Sequence, residues 1–223
     1  MSLDSAPNEL RQAIERDLVP VRPLHPAWMR TLIAVAVMVV VLSFSLATAS
    51  LRSDLAQIPM WLSWGCSIFQ LGLAVMLIGL ALREAIPGAG APVGTVRTAA
   101  LTALTMQILV GVATSIYSPS ISMPGSDFTA GFGCLKHEFS LALPTFIVTL
   151  VLVFRALPLR APTAGLLGGA GAAIASDAIL HMLCPMSDVL HVLVWHTGAV
   201  LCFMAVGWLI GVAWQRMHWR RTP

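Results

Sequence analysis

The stretch APTAGLLGGAGAAIASDAILHMLCPMSDVLHVLVWHTG, residues 161–198, decides the fold of this chain. It holds a complete apolar run at residues 162–183, a break around Pro185, and the start of a second apolar run at residues 189–214. Each run is about as long as the ~20 residues that an α-helix needs to cross a bilayer. Because no water reaches the hydrocarbon core, a spanning segment must satisfy its own backbone hydrogen bonds. Both runs are therefore predicted to be membrane-spanning helices.

Four further apolar runs precede this stretch, at residues 30–51, 59–82, 97–116 and 139–157. The composition agrees, because 57% of the residues are hydrophobic and only 10% are charged, against about 25% charged in soluble domains. The first run is too long, and begins too far from the amino terminus, for a cleaved signal peptide. The sequence therefore predicts an all-α, polytopic membrane protein with six transmembrane helices.

The basic residues divide unequally between the two sides of these six runs. The side with both termini holds Arg11, Arg16, Arg22, Arg30, Arg83, Arg97, Arg155, Arg160, Arg216, Arg220 and Arg221, and the other side holds only Arg52 and Lys136. Basic residues near span ends stay cytoplasmic, so both termini are expected in the cytoplasm and the spans in a bacterial inner membrane. The net charge of +3 reflects this arginine collar, and no direct contact with nucleic acid is expected.

The chain divides into a cytoplasmic segment at residues 1–28, a transmembrane domain at residues 29–215 and a basic tail at residues 216–223. In the first segment, the apolar residues Leu10, Ile14 and Leu18 follow the one-face spacing of a helix over residues 8–18. A helix this short is marginal in water on its own. Two interpretations stay open: a tail with nascent helix, or a docking segment that folds against a partner's groove.

Small residues in the fifth predicted span indicate that it packs closely against another helix. Gly165, Gly169 and Ala173 recur at four-residue spacing, which lets helix backbones approach each other in a bilayer. By contrast, residues 117–133 are rich in Ser, Pro and Gly and show no periodicity, so they are predicted to form an irregular outer loop that ends just before Cys134.

Polar side chains collect at the outward-facing end of the predicted bundle. Cys66 and Cys202 lie within apolar runs, where a cysteine usually acts as a small hydrophobe. Cys134 and Cys184 instead face the oxidising side, as a structural disulfide or as a thiol pair that reports redox state or captures a soft metal. The other members of the outer cluster are Lys136, His137 and Glu138 on span four, Asp177 and His181 on span five, and Asp188, His191 and His196 on span six.

Helical spacing predicts which of these side chains share a face. Asp177, His181 and Cys184 are four and three positions apart and lie on one face, as do Asp188, His191 and Trp195 on the sixth span. His196 lies five positions after His191, about 140° further round an α-helix, and is expected to point away from it. The spacing leaves open a combined metal site from Cys134, His181, Cys184 and His191, against the alternative that each histidine is only a hydrogen-bonded side chain at the membrane interface.

Asp177 is the deepest acid of the outer cluster. Ionisable groups at such depth are costly and face a partner in the bundle interior, and His181, one turn away, is the expected partner. A neutral, hydrogen-bonded acid is the default expectation, and a proton relay is the alternative.

No catalytic signature is present. The sequence has no Walker motif, nucleophile elbow or HExxH, and Gln70 and Gln107 are the only amides in the spans, which is sparse for a solute pathway. We expect no enzyme activity and no resident cofactor. Transient binding of a heavy metal at Cys134 and Cys184 is left open.

Taken together, several segments resemble one known family. They are the cysteine at position 134, the run RALPLRAPTAGLLGGAGAA at residues 155–173, CPMSDVLHVLVWHTG at residues 184–198, and the tail DLVPVRPLHP at residues 17–26. With six spans, the chain is similar to the negative regulators of sigma factor F, which are inner-membrane anti-sigma proteins of proteobacteria. The sharpest part of the resemblance is Cys134 with Cys184-Pro185, followed by His191 and Trp195.

The resemblance implies a function. The protein would hold an extracytoplasmic-function sigma factor inactive at the membrane and release it under a stress such as heavy metal or oxidation. Cys134 and Cys184 would match the family's signalling pair. Asp177, His181, His191 and Trp195 are candidate supporting residues from their positions at the same end of the spans. The tail within residues 1–28, through Leu10, Ile14 and Leu18, would supply the sigma contact, with inner loops 83–97 and 155–162 assisting.

Two other classes of protein compete with this interpretation. A membrane thiol oxidoreductase or haem protein predicts turnover or a visible absorption band, but the chain has no CxxC pair and His191 and His196 are expected to point apart. A small transporter or metal exporter predicts flux across vesicles, but polar residues are scarce in the first four spans.

Overall fold

A computed structural model describes residues 8–17, 24–118 and 127–219 of the chain, and every regular element in these ranges is a helix. The short helix α1 spans Asn8–Asp17. Six long helices follow. They are α2 (Ala27–Thr48), α3 (a π-helical start at Trp61–Gly65 that continues as Cys66–Glu84), α4 (Val93–Tyr117), α5 (Asp127–Phe154), α6 (Ala161–Leu183) and α7 (Val189–His191, a π-helical segment at Val192–Thr197, and Gly198–Trp219).

Each of the helices α2 to α7 is long and apolar enough to cross a membrane. The prediction of an all-α, multi-pass membrane protein with six spans is therefore confirmed. Within α1, the side chain of Leu10 is exposed, whereas the side chain of Ile14 and all of Leu18 fall outside the described part of the chain.

Helix α5 begins much earlier than the hydropathy pattern predicts. The outer loop was expected to extend to residue 133, but α5 starts at Asp127. The glycines at 131 and 133 and the charges at Lys136 and Glu138 weaken the apolar signal of these turns. In the folded protein Gly131 packs against the indole of Trp195, and Glu138 is completely buried. These turns are stabilised by contacts with other helices rather than by their own hydrophobicity.

Helix α6 is the central element of the bundle. In its apolar stretch 89% of the residues are buried by protein, against 22–44% in the other five spans. A Cβ atom at Gly165 would overlap the carbonyl oxygen of Gly207 on α7, and one at Gly169 would overlap the carbonyl oxygen of Phe203. The predicted close packing through small residues is therefore confirmed, and the partner helix is α7.

The two ends of the bundle are chemically distinct. At the end where α2 begins and α7 ends, called the termini end here, the buried carboxylate of Glu84 accepts a hydrogen bond from the backbone N–H of Ala91. It also pairs with Arg160 Nη1 at 3.4 Å, and the guanidinium of Arg30 is buried against the carbonyl oxygen of Leu152. The opposite end, called the far end, contains Cys184 and the chain segments that connect α2 to α3 and α6 to α7.

Candidate functional site

The two cysteines singled out in the sequence meet at the far end. Cys134 lies two turns into α5, and Cys184 directly follows the last residue of α6. Their Sγ atoms are 3.2 Å apart, and both are free thiols. A disulfide bond length is about 2.05 Å, so the sulfurs are in contact without being bonded. Cys184 is buried and Cys134 is half-buried.

Two histidines of α7 complete a compact cluster with these thiols. His191 Nε2 lies 3.6 Å from Cys184 Sγ, and the ring centroids of His191 and His196 are 5.5 Å apart. One ligand atom from each of Cys134, Cys184, His191 and His196 falls within 4.8 Å of the other three. The expectation that His196 points away from His191 is therefore wrong, and the side chain that joins Cys134, Cys184 and His191 is that of His196 rather than that of His181.

The physical reason is the π-helical segment at Val192–Thr197. A π-helix bonds residue i to i+5 and so takes one more residue into the turn than an α-helix does. Residues five positions apart, such as His191 and His196, then come to the same side. Nothing in the hydropathy pattern marks this segment. At the start of α7, before this segment, Asp188 Oδ1 accepts hydrogen bonds from the N–H groups of Leu190 and His191 at 3.0 and 3.1 Å, which caps the helix.

Trp195, within the same π-helical segment, connects α7 to the start of α5. Its ring makes an edge contact with Phe128 at a centroid distance of 5.3 Å. Gly131 leaves the space for the indole, since a Cβ there would overlap it. Trp195 thus holds the first turns of α5, and with them Cys134, against the histidine-bearing turn.

Asp177 has different partners from the one that its own helix suggested. Its Oδ2 accepts hydrogen bonds from Gln70 Nε2 at 2.8 Å and Gln107 Nε2 at 2.7 Å. Its Oδ1 lies 2.8 Å from His196 Nδ1. His181 does not bond to it, and His181 Nε2 has no hydrogen-bond partner among the described residues. The two amides that looked too sparse for a pathway therefore serve to hold this one carboxylate.

His196 lies between two buried groups. The thiols are on one side of the imidazole, and Asp177 and Glu138 are on the other. One carboxylate oxygen from each acid and a ring nitrogen of His196 all lie within 4.8 Å of one another. Glu138 is fully buried, and neither of its oxygens accepts a hydrogen bond from a described residue. The sequence placed Glu138 in the outer cluster without assigning it a role.

A buried ion pair between Arg52 and Asp54 lies against the end of α6. Arg52 binds both oxygens of Asp54, at 2.6 and 2.8 Å, and also donates to Ser118 and Ser187 at 3.0 and 2.8 Å. Its backbone N–H donates to the carbonyl oxygen of Met182 at 3.1 Å. The hydrogen bond from Arg52 lowers the pKa of Asp54 below its ordinary value. The sequence had identified Arg52 only as an outward-facing cation, because its partners come from three separate connections.

The environment of Cys184 favours the thiolate. The hydrogen bond with Cys134 lowers the pKa of the Cys184 thiol, and the hydrogen bond with His191 acts in the same direction against the effect of burial. The thiolate is the form of cysteine that attacks electrophiles and binds metals. This cluster is therefore suited to thiol chemistry or to binding a cation.

The family model described as "Negative regulator of sigma F" matches residues 15–217. The chain belongs to this family. The match contains all four members of the thiol–histidine cluster and begins just after Ile14. No curated protein and no solved structure matches the chain.

Membership of the negative regulator of sigma F family confirms the resemblance seen in the sequence. The family description is that of a regulator, and it names a sigma factor as the regulated partner. Six apolar helices place this regulator in a membrane as a multi-pass protein.

Proposed function

We propose that this protein is an anti-sigma factor of the bacterial inner membrane that binds an extracytoplasmic-function sigma factor and releases it when Cys134 and Cys184 react with a signal. The family match over residues 15–217 carries the anti-sigma part of this proposal. The sensing part is supported by the 3.2 Å contact between two free thiols of the far end.

The distribution of the arginines supports an orientation of the helix bundle in which the termini end faces the cytosol. The termini end carries nearly all of the basic residues, and basic residues beside span ends remain in the cytoplasm. The termini end then faces the cytosol, where a sigma factor is present. The thiols then face the periplasm, where metals and oxidants arrive.

The sigma contact is assigned to the cytosolic segment at residues 1–28. Helix α1 presents Leu10, with the side chain 51% exposed, beside polar and charged neighbours. An amphipathic helix of this kind binds in a partner's groove. The inner loops at residues 83–97 and 155–162 lie at the same end of the bundle and are assigned an assisting role.

Helix α6 is suited to carry the signal between the two ends. Cys184 directly follows its last residue, and its glycines bring it into backbone contact with α7 at Gly165 and Gly169. Interfaces this tight have a few discrete arrangements rather than a continuous range. A change at the thiols that shifts α6 against α7 therefore reaches the cytosolic end, where it alters the affinity for the sigma factor.

The experiment that tests the proposal combines co-purification with a reporter gene. The full-length protein, extracted in mild detergent from cells that also express the sigma factor, is expected to retain the sigma factor, and Cd²⁺ or a thiol oxidant is expected to reduce the retained amount. The C134S/C184S variant is expected to hold the sigma factor and not to respond. The matched control is C66S/C202S, which changes two cysteines away from the cluster and should respond like the wild type.

Two outcomes contradict different parts of the proposal. If the sigma factor neither co-purifies nor becomes more active when the gene is deleted, the anti-sigma function is wrong. If the C134S/C184S variant induces the reporter as the wild type does, the sensing function of the thiols is wrong while the anti-sigma function stands.

A further inference from the structure

We infer that Cys134, Cys184, His191 and His196 form a four-ligand site for a thiophilic or borderline cation, and that Asp177 positions His196 for this task. The inference rests on the proposed function and deepens it, since it makes metal binding the signal and assigns the ligands.

The distances fit a four-coordinate ion. Zinc binds sulfur at about 2.3 Å and imidazole nitrogen at about 2.0–2.1 Å, usually in a tetrahedron. The ligand atoms of such a tetrahedron lie about 3.3–3.8 Å from one another. The Cys184 Sγ to His191 Nε2 distance of 3.6 Å already falls in this range. The contact between the two sulfurs, at 3.2 Å, needs to open only slightly.

His196 provides an independent observation. Its side chain is 4% exposed, and its Nδ1 is engaged by Asp177 at 2.8 Å. Its Nε2 has no hydrogen-bond partner among the residues that the structure describes. If Asp177 accepts the Nδ1–H, the Nε2 lone pair is left free in a buried position beside the thiols, which is the state of a histidine prepared to bind a metal.

The position of Asp177 strengthens this assignment. Histidine ligands commonly donate their other ring N–H to a carboxylate, which sets the tautomer and the ring orientation. Here the carboxylate is itself fixed by Gln70 and Gln107, at 2.8 and 2.7 Å. Three helices, α3, α4 and α6, thereby contribute to the orientation of one imidazole on α7. A histidine that served only to fill space would not require this arrangement.

The ligand set indicates the class of cation. Thiolates with imidazoles favour Zn²⁺, Cd²⁺ or Cu⁺, whereas Mg²⁺ and Ca²⁺ require oxygen ligands. Two thiolates balance the charge of a divalent ion, which matters because an uncompensated charge is costly in an apolar surrounding. The thiol protons leave the site on binding, so that affinity increases with pH.

The far end also offers a path of access. A cavity of about 300 Å³ borders His191 and is lined in part by Met186, Asp188 and Trp195. The Met186 thioether is a soft sulfur ligand, and the Asp188 carboxylate attracts cations. An ion arriving at this surface therefore meets a soft atom and a negative charge before it reaches the thiols.

The π-helical segment gives metal binding a mechanical consequence. His191 and His196 share one side only while residues 192–197 keep the wider turn. A bound ion that requires both imidazoles stabilises this turn relative to an α-helical one. It also joins α5, the end of α6 and the start of α7, which are the elements that the proposed signal has to move.

The test uses the full-length, reduced protein in detergent with Co²⁺ and Zn²⁺ as probes. Wild type is expected to bind one Co²⁺ per chain, with the visible d–d bands of a four-coordinate ion and a thiolate-to-cobalt charge-transfer band in the near ultraviolet. Zn²⁺ should bleach both and protect Cys134 and Cys184 from alkylation. C134S/C184S should lose the charge-transfer band.

The histidine variants separate a four-ligand site from a site made by the thiols alone. H196Q and H191Q are each expected to weaken Zn²⁺ binding at least 10-fold, and Asp177→Asn by about 10–100-fold, as for other carboxylates that orient a ligand. H181Q is the matched control, because His181 is a buried histidine of the same end that lies outside the cluster. It should bind Zn²⁺ like the wild type.

The inference is overturned if reduced wild type binds no more Co²⁺ than C134S/C184S, or if H191Q and H196Q bind Zn²⁺ as tightly as H181Q does. Should a histidine variant fail to fold, Zn²⁺ protection of the wild-type thiols from alkylation decides the question, and its absence refutes the site. Sigma co-purification with wild type and H196Q is measured in parallel. Retention of the sigma factor by a wild type that binds no metal rejects the site alone. Failure of the metal-free wild type to retain the sigma factor, with no gain in sigma activity when the gene is deleted, rejects the proposed function.

Discussion

Replacement of Gly207 by Ala tests whether the contact between α6 and α7 connects the two ends of the bundle. A Cβ atom at position 207 would overlap the carbonyl oxygen of Gly165, and ordinary contacts require 3.4–4 Å. The two helices must then separate by roughly 1 Å, which forfeits up to half of each van der Waals contact along the interface. Overpacking of this kind costs about 1–3 kcal/mol.

The assay has a stability arm and a signalling arm. For a chain of this size the loss corresponds to a decrease in Tm of roughly 2–4 °C per kcal/mol, measured by thermal unfolding in detergent. Release of the sigma factor by Cd²⁺ is expected to weaken at the same time, because a loosened interface transmits a smaller shift. Gly198→Ala is the matched control on the same helix, since its Cβ would meet no atom within 4 Å. If Gly207→Ala leaves both Tm and release unchanged, the argument that α6 and α7 move as a tightly packed pair is refuted.

Three further predictions concern the far end. Replacing Asp54 by Asn should destabilise the protein by about 3–5 kcal/mol, since the buried guanidinium of Arg52 loses its partner. The pKa of Asp54 is lowered in the folded state. The ion pair therefore stabilises the protein fully at a pH above the ordinary aspartate pKa of about 4, and this stabilisation is lost as the pH falls through the lowered pKa of the folded state. Thermal unfolding as a function of pH should show this loss in the wild type and not in D54N, and an equal acid dependence in both would contradict it. Gln107→Leu should cost about 1–3 kcal/mol, because it removes a donor from a buried carboxylate; an unchanged Tm would show that the hydrogen bond does not matter. A mild oxidant should join Cys134 to Cys184 with loss of the two thiol hydrogens, detected by mass spectrometry, whereas failure to cross-link would mean that the thiols do not approach each other in the membrane.

The sequence was sufficient for the features that depend on local composition. Apolar runs predicted six spans, and the spacing of Gly165 and Gly169 predicted a close helix contact that the fold contains. Cys134 and Cys184 were paired by their position at the mouths of two spans. These inferences succeed because the hydrophobicity of a span and the size of the side chains on its face are properties of each helix by itself.

Other features arise between helices, and the sequence pattern did not reveal them. The start of α5 was placed too late because its first turns depend on Trp195 rather than on their own apolar content. His196 was not grouped with His191 and the two thiols because an α-helical period was assumed where a π-helix occurs. The partner of Asp177 was sought on its own helix, although Gln70 and Gln107 lie on two others.

The sequence by itself determined the number of spans, the division of arginines between the two ends and the glycine-lined face of α6. Only the tertiary structure decided that α7 occupies that face and that two thiols and two imidazoles meet at the far end. The reason is that the solvent preference of a segment is a sum over its own residues. Its lateral neighbours and its helical phase depend instead on how several helices pack around a shared set of buried polar groups.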